Sequence, residues 1–122
     1  MIKTLLSVIL LLSISISLQA QTPEELTELK CGSCHLVGKI TKEKLKNMKA
    51  PPYWALAKKI NMAYKTKEER VKFLVEYTLN PSEDKMLFPK ETRKRFGVMP
   101  SQEGLIREEE LKIISTYLFD DK

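Results

Sequence analysis

Hydrophobic and polar positions divide the chain into an apolar N-terminal run and a longer, charged remainder. Residues 5–18 read LLSVILLLSISISL and carry no charge. They follow the basic Lys3 and end at the small-residue site Leu18–Ala20, so the pattern predicts a signal peptide over residues 1–20. The run is shorter and richer in serine than a membrane-spanning helix of about 20 residues, although an uncleaved anchor stays an alternative. Residues 21–122 are therefore expected to form an exported domain without stable membrane insertion.

Beyond residue 21 the apolar spacing is helical. Apolar positions at i, i+3 and i+4, together with capping signals at Thr22 and Thr66, predict helices near residues 23–31, 53–64, 67–79, 90–96 and 108–118. In the first of these, Leu26 and Leu29 are expected on one buried face. Residues 36–52 form the longest stretch predicted to be irregular. Because no segment alternates with period two, the prediction is an all-α fold of about four to five short helices.

Composition narrows the class of protein. The chain has 122 residues, of which 43% are hydrophobic and 30% charged, so collagen-like, low-complexity and wholly disordered classes are excluded. With only two cysteines it is not a disulfide-stapled miniprotein. A chain of this size buries a modest apolar area, so a large apolar cofactor would help to complete its core.

The segment Cys31-Gly32-Ser33-Cys34-His35 is the motif that carries chemistry. C-x-x-C-H is the attachment sequence for a c-type haem. Two thiols at this spacing can each add to one of the two haem vinyl groups, and the adjacent imidazole then lies beneath the iron. The predicted export agrees, since this attachment takes place outside the cytoplasm in bacteria. One covalently attached haem, with His35 as an iron ligand, is the expected cofactor.

Three other interpretations of the two cysteines are weaker. A thiol–disulfide redox pair should follow a strand and begin a helix, whereas a predicted helix precedes Cys31 here. Zinc would need a fourth ligand from a second cluster, which the sequence lacks. A structural disulfide leaves the contiguous His35 unexplained.

The number of histidines limits the choice of the second axial ligand of the iron. His35 is the only histidine, so the candidates are a methionine, a lysine or an open site. Met48 and Met62 lie close to the amphipathic pattern, where methionine usually fills the core. Met99 is favoured because it lies in a turn between two predicted helices. Met86, in the loop after Pro81, is the alternative ligand, and ordinary packing as a loop residue is the other interpretation of Met99.

The order of these elements resembles class I, mitochondrial-type, monohaem c-type cytochromes over nearly all of residues 22–120. The resemblance rests on the helix before the C-x-x-C-H motif, a proline-containing loop, a Met-Pro segment and a last helix that opens with acids. It implies that the carbonyl of Pro51, or alternatively Pro52, accepts the ring N–H of the proximal histidine. It also implies a propionate-binding role for Trp54 and the tyrosines, although core packing explains Trp54 equally well. This chain departs from the family at three positions. Ala50 stands where the family has glycine, and Arg107 stands where a Ser or Thr cap begins the last helix. Thr27 stands in the first helix, which in the family often has a glycine.

These predictions together give a functional hypothesis. An iron held by His35 and Met99 has no open position, and a thioether ligand raises its reduction potential, so the expected function is a periplasmic one-electron carrier rather than an enzyme. Its expected partners are redox proteins with acidic patches, since the net charge of the chain is +5 and its pI is near 9.2. Binding to nucleic acid is not expected. The protein is expected to be a monomer. The alternatives are an open or weakly ligated iron that acts on a small molecule, and a cytochrome subunit of a larger oxidoreductase.

Overall fold

The structure, a computed structural model, describes residues 21–120, and the predicted signal peptide at residues 1–20 lies outside the described residues. The regular elements of residues 21–120 are all helices, with no strand among them, which confirms the all-α prediction. No helix within residues 21–120 is both long and apolar enough to span a bilayer. Its elements are α1 (Pro23–Cys31), α2 (Lys42–Lys46), α3 (Tyr53–Ala63), α4 (Lys67–Leu79), a 3-10 helix (Glu83–Lys85), α5 (Lys90–Phe96) and α6 (Glu108–Phe119).

The described chain has six α-helices, whereas the sequence predicted about four to five. The helix that was not predicted is the short helix α2. This helix lies within residues 36–52, the stretch predicted to be irregular. It begins after Thr41, whose side-chain oxygen accepts a hydrogen bond from the Lys44 backbone N–H at 3.1 Å. Five residues are too few to show a helical repeat of apolar positions, and α2 buries none of its residues, so the sequence pattern could not reveal it.

Helix starts and stops follow the capping signals in the sequence. Thr66 and Glu69 form a reciprocal capping box before α4, with backbone-to-side-chain distances of 3.2 and 3.1 Å. Thr22 accepts only from the Glu25 N–H at 3.2 Å, so the predicted box before α1 is present in one half. Gly97 follows α5 with φ of 73°, a conformation that glycine adopts without strain.

Helix α6 is the element against which the other long helices pack. Helices α1, α3 and α4 all contact α6, and α3 also contacts α4. The buried core joins Leu26 of α1 to Leu111 and Ile114 of α6 and to Ile106, which precedes α6. Half-buried side chains from α1, α4 and α6 surround it, namely Cys31, Leu74, Val75, Leu79 and Leu118. The C-terminal helix therefore holds the motif-bearing helix α1 in place.

The predicted buried face of α1 is partly wrong. Leu26 is buried, but Leu29 is 63% exposed and the buried neighbour of Leu26 is Thr27. The buried side of α1 runs through Thr27, Lys30 and Cys31, which follow the i, i+3, i+4 spacing, and Leu29 falls outside it. The Thr27 hydroxyl donates to the Pro23 carbonyl oxygen at 2.6 Å, so this polar side chain is buried with its donor satisfied.

Two adjacent isoleucines of α6 test this arrangement. Ile114 is 1% exposed and Ile113 is 43% exposed. We expect Ile114→Ala to lower the free energy of unfolding by about 2–5 kcal/mol, because it removes core contacts and leaves a cavity. The matched variant Ile113→Ala should change it by only about 0.5 kcal/mol. Urea unfolding followed by circular dichroism measures both, and equal losses for the two variants would contradict the packing described here.

Candidate functional site

The C-x-x-C-H motif forms the turn that ends α1. Cys31 is the last residue of the helix, and its carbonyl oxygen accepts hydrogen bonds from the N–H groups of Cys34 at 3.2 Å and His35 at 2.9 Å. The chain therefore folds back on itself within the motif. Both cysteines are free thiols and half-buried.

Burial sets the chemistry of the first thiol. It raises the pKa of Cys31 to about 11, and the neighbouring Cys34 adds to the rise. Cys31 also lies at the C-terminal end of α1, where the helix dipole disfavours a thiolate. Thiol–disulfide enzymes need the opposite, a lowered cysteine pKa, usually at a helix N-terminus. This environment does not fit a thioredoxin-type redox pair.

The imidazole of His35 is bonded to the segment that leads into α3. Its Nδ1 lies 2.6 Å from the carbonyl oxygen of Pro51, whereas Pro52 serves as the N-cap residue of α3. Burial lowers the pKa of His35, and the bond to Pro51 opposes this in part, so the ring is neutral at pH 7. Because a carbonyl oxygen can only accept, Nδ1 must carry the proton. Nε2 then carries a lone pair, which is the state that a metal-ligating imidazole requires.

Backbone pairing explains why Pro51 reaches the ring. The Lys49 N–H donates to the Cys34 carbonyl oxygen, and the Tyr53 N–H donates to the Leu36 carbonyl oxygen, each at 3.0 Å. Pro51 lies midway between these two donors, as His35 lies midway between the two acceptors. The two segments therefore run beside each other, with two residues of the first spanning four of the second.

A cavity of about 400 Å³ lies beside this turn, within the size range of ligand-binding pockets. The residues proposed for haem attachment and iron ligation all line it, together with the alternative methionine: Cys31, Cys34, His35, Pro51, Met86 and Met99. The rest of its wall is mainly apolar and aromatic, with side chains from α3, α4, α5 and α6. The structure thus gathers residues that lie up to 68 positions apart in sequence around one space.

The methionines separate into two groups. Met86 follows the 3-10 helix and Met99 lies between α5 and α6, and both line the cavity half-buried. Met48 and Met62 lie outside the wall of this cavity, and Met62 is largely exposed. Both candidate ligands, Met86 and Met99, therefore lie at the site, and Met48 and Met62 do not.

Only some of the aromatic residues named from the sequence line the cavity. Trp54 lies outside the cavity wall and is 43% exposed, so core packing, one of the two interpretations left open for it, is wrong. Among the tyrosines, Tyr53 lines the cavity, with its ring 5.4 Å from the Trp54 ring in an edge-on contact. Phe73 and Tyr77 of α4, stacked 5.4 Å apart, also line it. Their spacing of four residues, which places both on one face of a helix, is the sequence signal that indicates this pair.

Three lysines complete the cavity wall, namely Lys30, Lys49 and Lys59. Lys30 is engaged with Glu110 at 3.5 Å and with the Leu105 carbonyl oxygen at 3.3 Å. Neither Lys49 nor Lys59 forms an ion pair with the described residues. They place positive charge at the edge of an otherwise apolar space.

These residues fit a haem better than a bare metal ion. Two thiols, a neutral imidazole and two thioethers line a mainly apolar cavity whose lysines can pair with carboxylates, as an amphipathic macrocycle requires. Among residues 21–120 no three histidine, cysteine, aspartate or glutamate side chains converge as a metal-ion site would need. Comparison with family models, curated proteins and solved structures finds no match to this chain.

The titration of His35 tests the buried imidazole. In the reduced chain before any group is bound, NMR should give a pKa for this single histidine below the usual 6.5, because burial penalises its charged form. The unfolded chain then binds the proton more tightly than the folded one. The contribution of His35 to stability is thus fully present above pH 6.5 and lost as the pH falls through the folded-state pKa. A titration midpoint at or above 6.5 would contradict the environment described.

Proposed function

We propose that this chain is a monohaem c-type cytochrome that carries single electrons between larger redox proteins. The observation that supports this most strongly is the convergence of the C-x-x-C-H turn with Met86 and Met99 on one apolar cavity. A bound haem supplies an iron that changes oxidation state by one electron, and the protein supplies its attachment, ligands and surroundings. The roles that follow belong to the residues of this chain.

Cys31 and Cys34 are proposed to hold the group covalently. Each thiol would add its S–H across one vinyl double bond of the haem, with sulfur bonded to one carbon and hydrogen to the other, so that no atom is lost. The two thiols are free, and both line the cavity. Attachment at two points on the end of α1 would fix the plane of the macrocycle relative to the core.

His35 and Met99 are proposed as the two axial ligands. The hydrogen bond from Nδ1 to Pro51 leaves Nε2 available, fixes the ring orientation and raises the basicity of the ligand. Met99 comes from the irregular segment between α5 and α6 and lines the same cavity as His35. A neutral thioether favours the reduced iron and raises the reduction potential. With both residues as ligands, no substrate would reach the iron, so the function that we propose is electron transfer rather than catalysis.

Charge at the cavity edge suggests how partners are chosen. Lys49 and Lys59 line the cavity, and α5 carries Lys90, Arg93, Lys94 and Arg95 beside it. A basic surface near the group would attract acidic patches on redox partners and make association sensitive to salt. The predicted export places this exchange in the periplasm.

Covalent attachment is tested by the pyridine haemochrome assay on protein produced with the cytochrome maturation machinery. We expect wild-type protein to keep one haem per chain after denaturation and Cys31→Ala/Cys34→Ala to lose it. Ser33→Ala, which changes the exposed residue between the two cysteines, serves as the control and should retain it. Loss of haem from the wild-type protein on denaturation would exclude thioether bonds.

Three methionine variants test the second axial ligand. Met99→Ala should keep the haem, lose the methionine–iron charge-transfer band and lower the reduction potential by more than about 60 mV, a tenfold change in a one-electron equilibrium. Met62→Ala, outside the cavity, is the control. If Met86→Ala produces these changes and Met99→Ala does not, Met86 is the ligand. A high-spin spectrum of the wild-type protein would instead favour the open-iron alternative.

A further inference from the structure

Each residue from Cys34 to Gly38 forms a hydrogen bond with a residue outside this segment. The first three contacts involve the segment 49–53, as described above. The last two come from side chains: Lys44 Nζ donates to the Val37 carbonyl oxygen at 3.0 Å, and the Gly38 N–H donates to the Tyr117 hydroxyl oxygen at 3.1 Å. The segment that contains His35 is thus anchored at its far end by helix α6.

Tyr117 is well placed to act as a fixed anchor. It is 6% exposed, and its ring lies 4.8 Å from the ring of Tyr53, whose own N–H holds the Leu36 carbonyl oxygen. Burial is the largest cause that raises the pKa of Tyr117 to about 12, so the hydroxyl is protonated at physiological pH. Tyr117 therefore supports the segment after His35 directly, through Gly38, and indirectly, through Tyr53.

Gly38 is the point where this anchor requires a specific residue. Its φ is +66°, a conformation that disfavours other residues, and a Cβ there would lie 3.1 Å from Glu24 Oε1. In this conformation the Gly38 N–H donates to the Tyr117 hydroxyl oxygen. Without the hydroxyl, this half-buried donor would lose the partner that the structure gives it.

We propose that Tyr117 is a positioning residue for His35. Its hydroxyl holds Gly38 and thereby keeps the imidazole within hydrogen-bond distance of the Pro51 carbonyl oxygen. This inference rests on the proposed function, because it assigns Tyr117 a role in tuning the iron through its proximal ligand. A firm bond from Nδ1 to Pro51 makes the imidazole a stronger donor, which favours the oxidised iron. Loosening that bond should raise the reduction potential.

The test compares two hydroxyl deletions on neighbouring residues of α6. Tyr117→Phe removes the oxygen that Gly38 contacts and keeps the ring that packs on Tyr53. Thr116→Val removes a hydroxyl that bonds only within the helix, to the Ile113 carbonyl oxygen at 2.7 Å. The measurements on the haem-loaded protein are hydrogen exchange of the His35 ring N–H by NMR and the reduction potential.

We expect Tyr117→Phe to speed exchange of the His35 ring N–H by about tenfold, the effect of losing roughly one hydrogen bond, and to raise the potential. Thr116→Val should leave both unchanged. Lys44→Met, which removes the donor to Val37, should speed the exchange in the same direction and examines the segment independently if Tyr117→Phe folds poorly.

Unchanged exchange in Tyr117→Phe would overturn the inference, and so would an equal change in Thr116→Val, because the effect would then be one of general stability. If wild-type protein carries no haem, the proposed function fails by itself. The same comparison of exchange at the His35 ring N–H and the Gly38 amide in the full chain then still decides whether Tyr117 positions this segment.

Discussion

The hydrogen bond between His35 Nδ1 and the Pro51 carbonyl oxygen is the contact on which the rest of the site depends. At 2.6 Å it ties the turn at the end of α1 to the segment that begins α3. It also decides the chemistry of the ring, since a proton on Nδ1 leaves the lone pair on Nε2. Backbone pairing on both sides and the anchor at Gly38 hold the two segments together, so contacts within the chain itself hold the imidazole in place.

The fold arranges everything else around this contact. Helix α6 packs against α1, α3 and α4, and the small core that results lies beside the cavity rather than at the centre of the chain. Leu111, Ile114 and Leu118 belong to the core region and also line the cavity. An apolar group in that space would therefore extend the hydrophobic core, which a chain of this length can fill only in part. Binding of such a cofactor would then raise the free energy of unfolding.

Local signals in the sequence were enough to predict the long helices. The threonine–glutamate pair before α4 and the acids at the start of α6 act within one helical turn, so they do not depend on the rest of the fold. Helix α2, the exposed Leu29 and the surface position of Trp54 were not predictable in this way, because packing across the chain decides them. The link from Gly38 to Tyr117 joins residues 79 positions apart, and no spacing rule could indicate it.

The proposed function requires one haem bonded to the two cysteines of the turn that ends α1. Intact mass spectrometry of protein purified from cells that express the maturation machinery tests this bond most directly. We expect a mass equal to the processed polypeptide plus one haem, with the added mass on the proteolytic fragment that contains Cys31 and Cys34. A mass equal to that of the polypeptide alone, with both thiols open to alkylation, would contradict it.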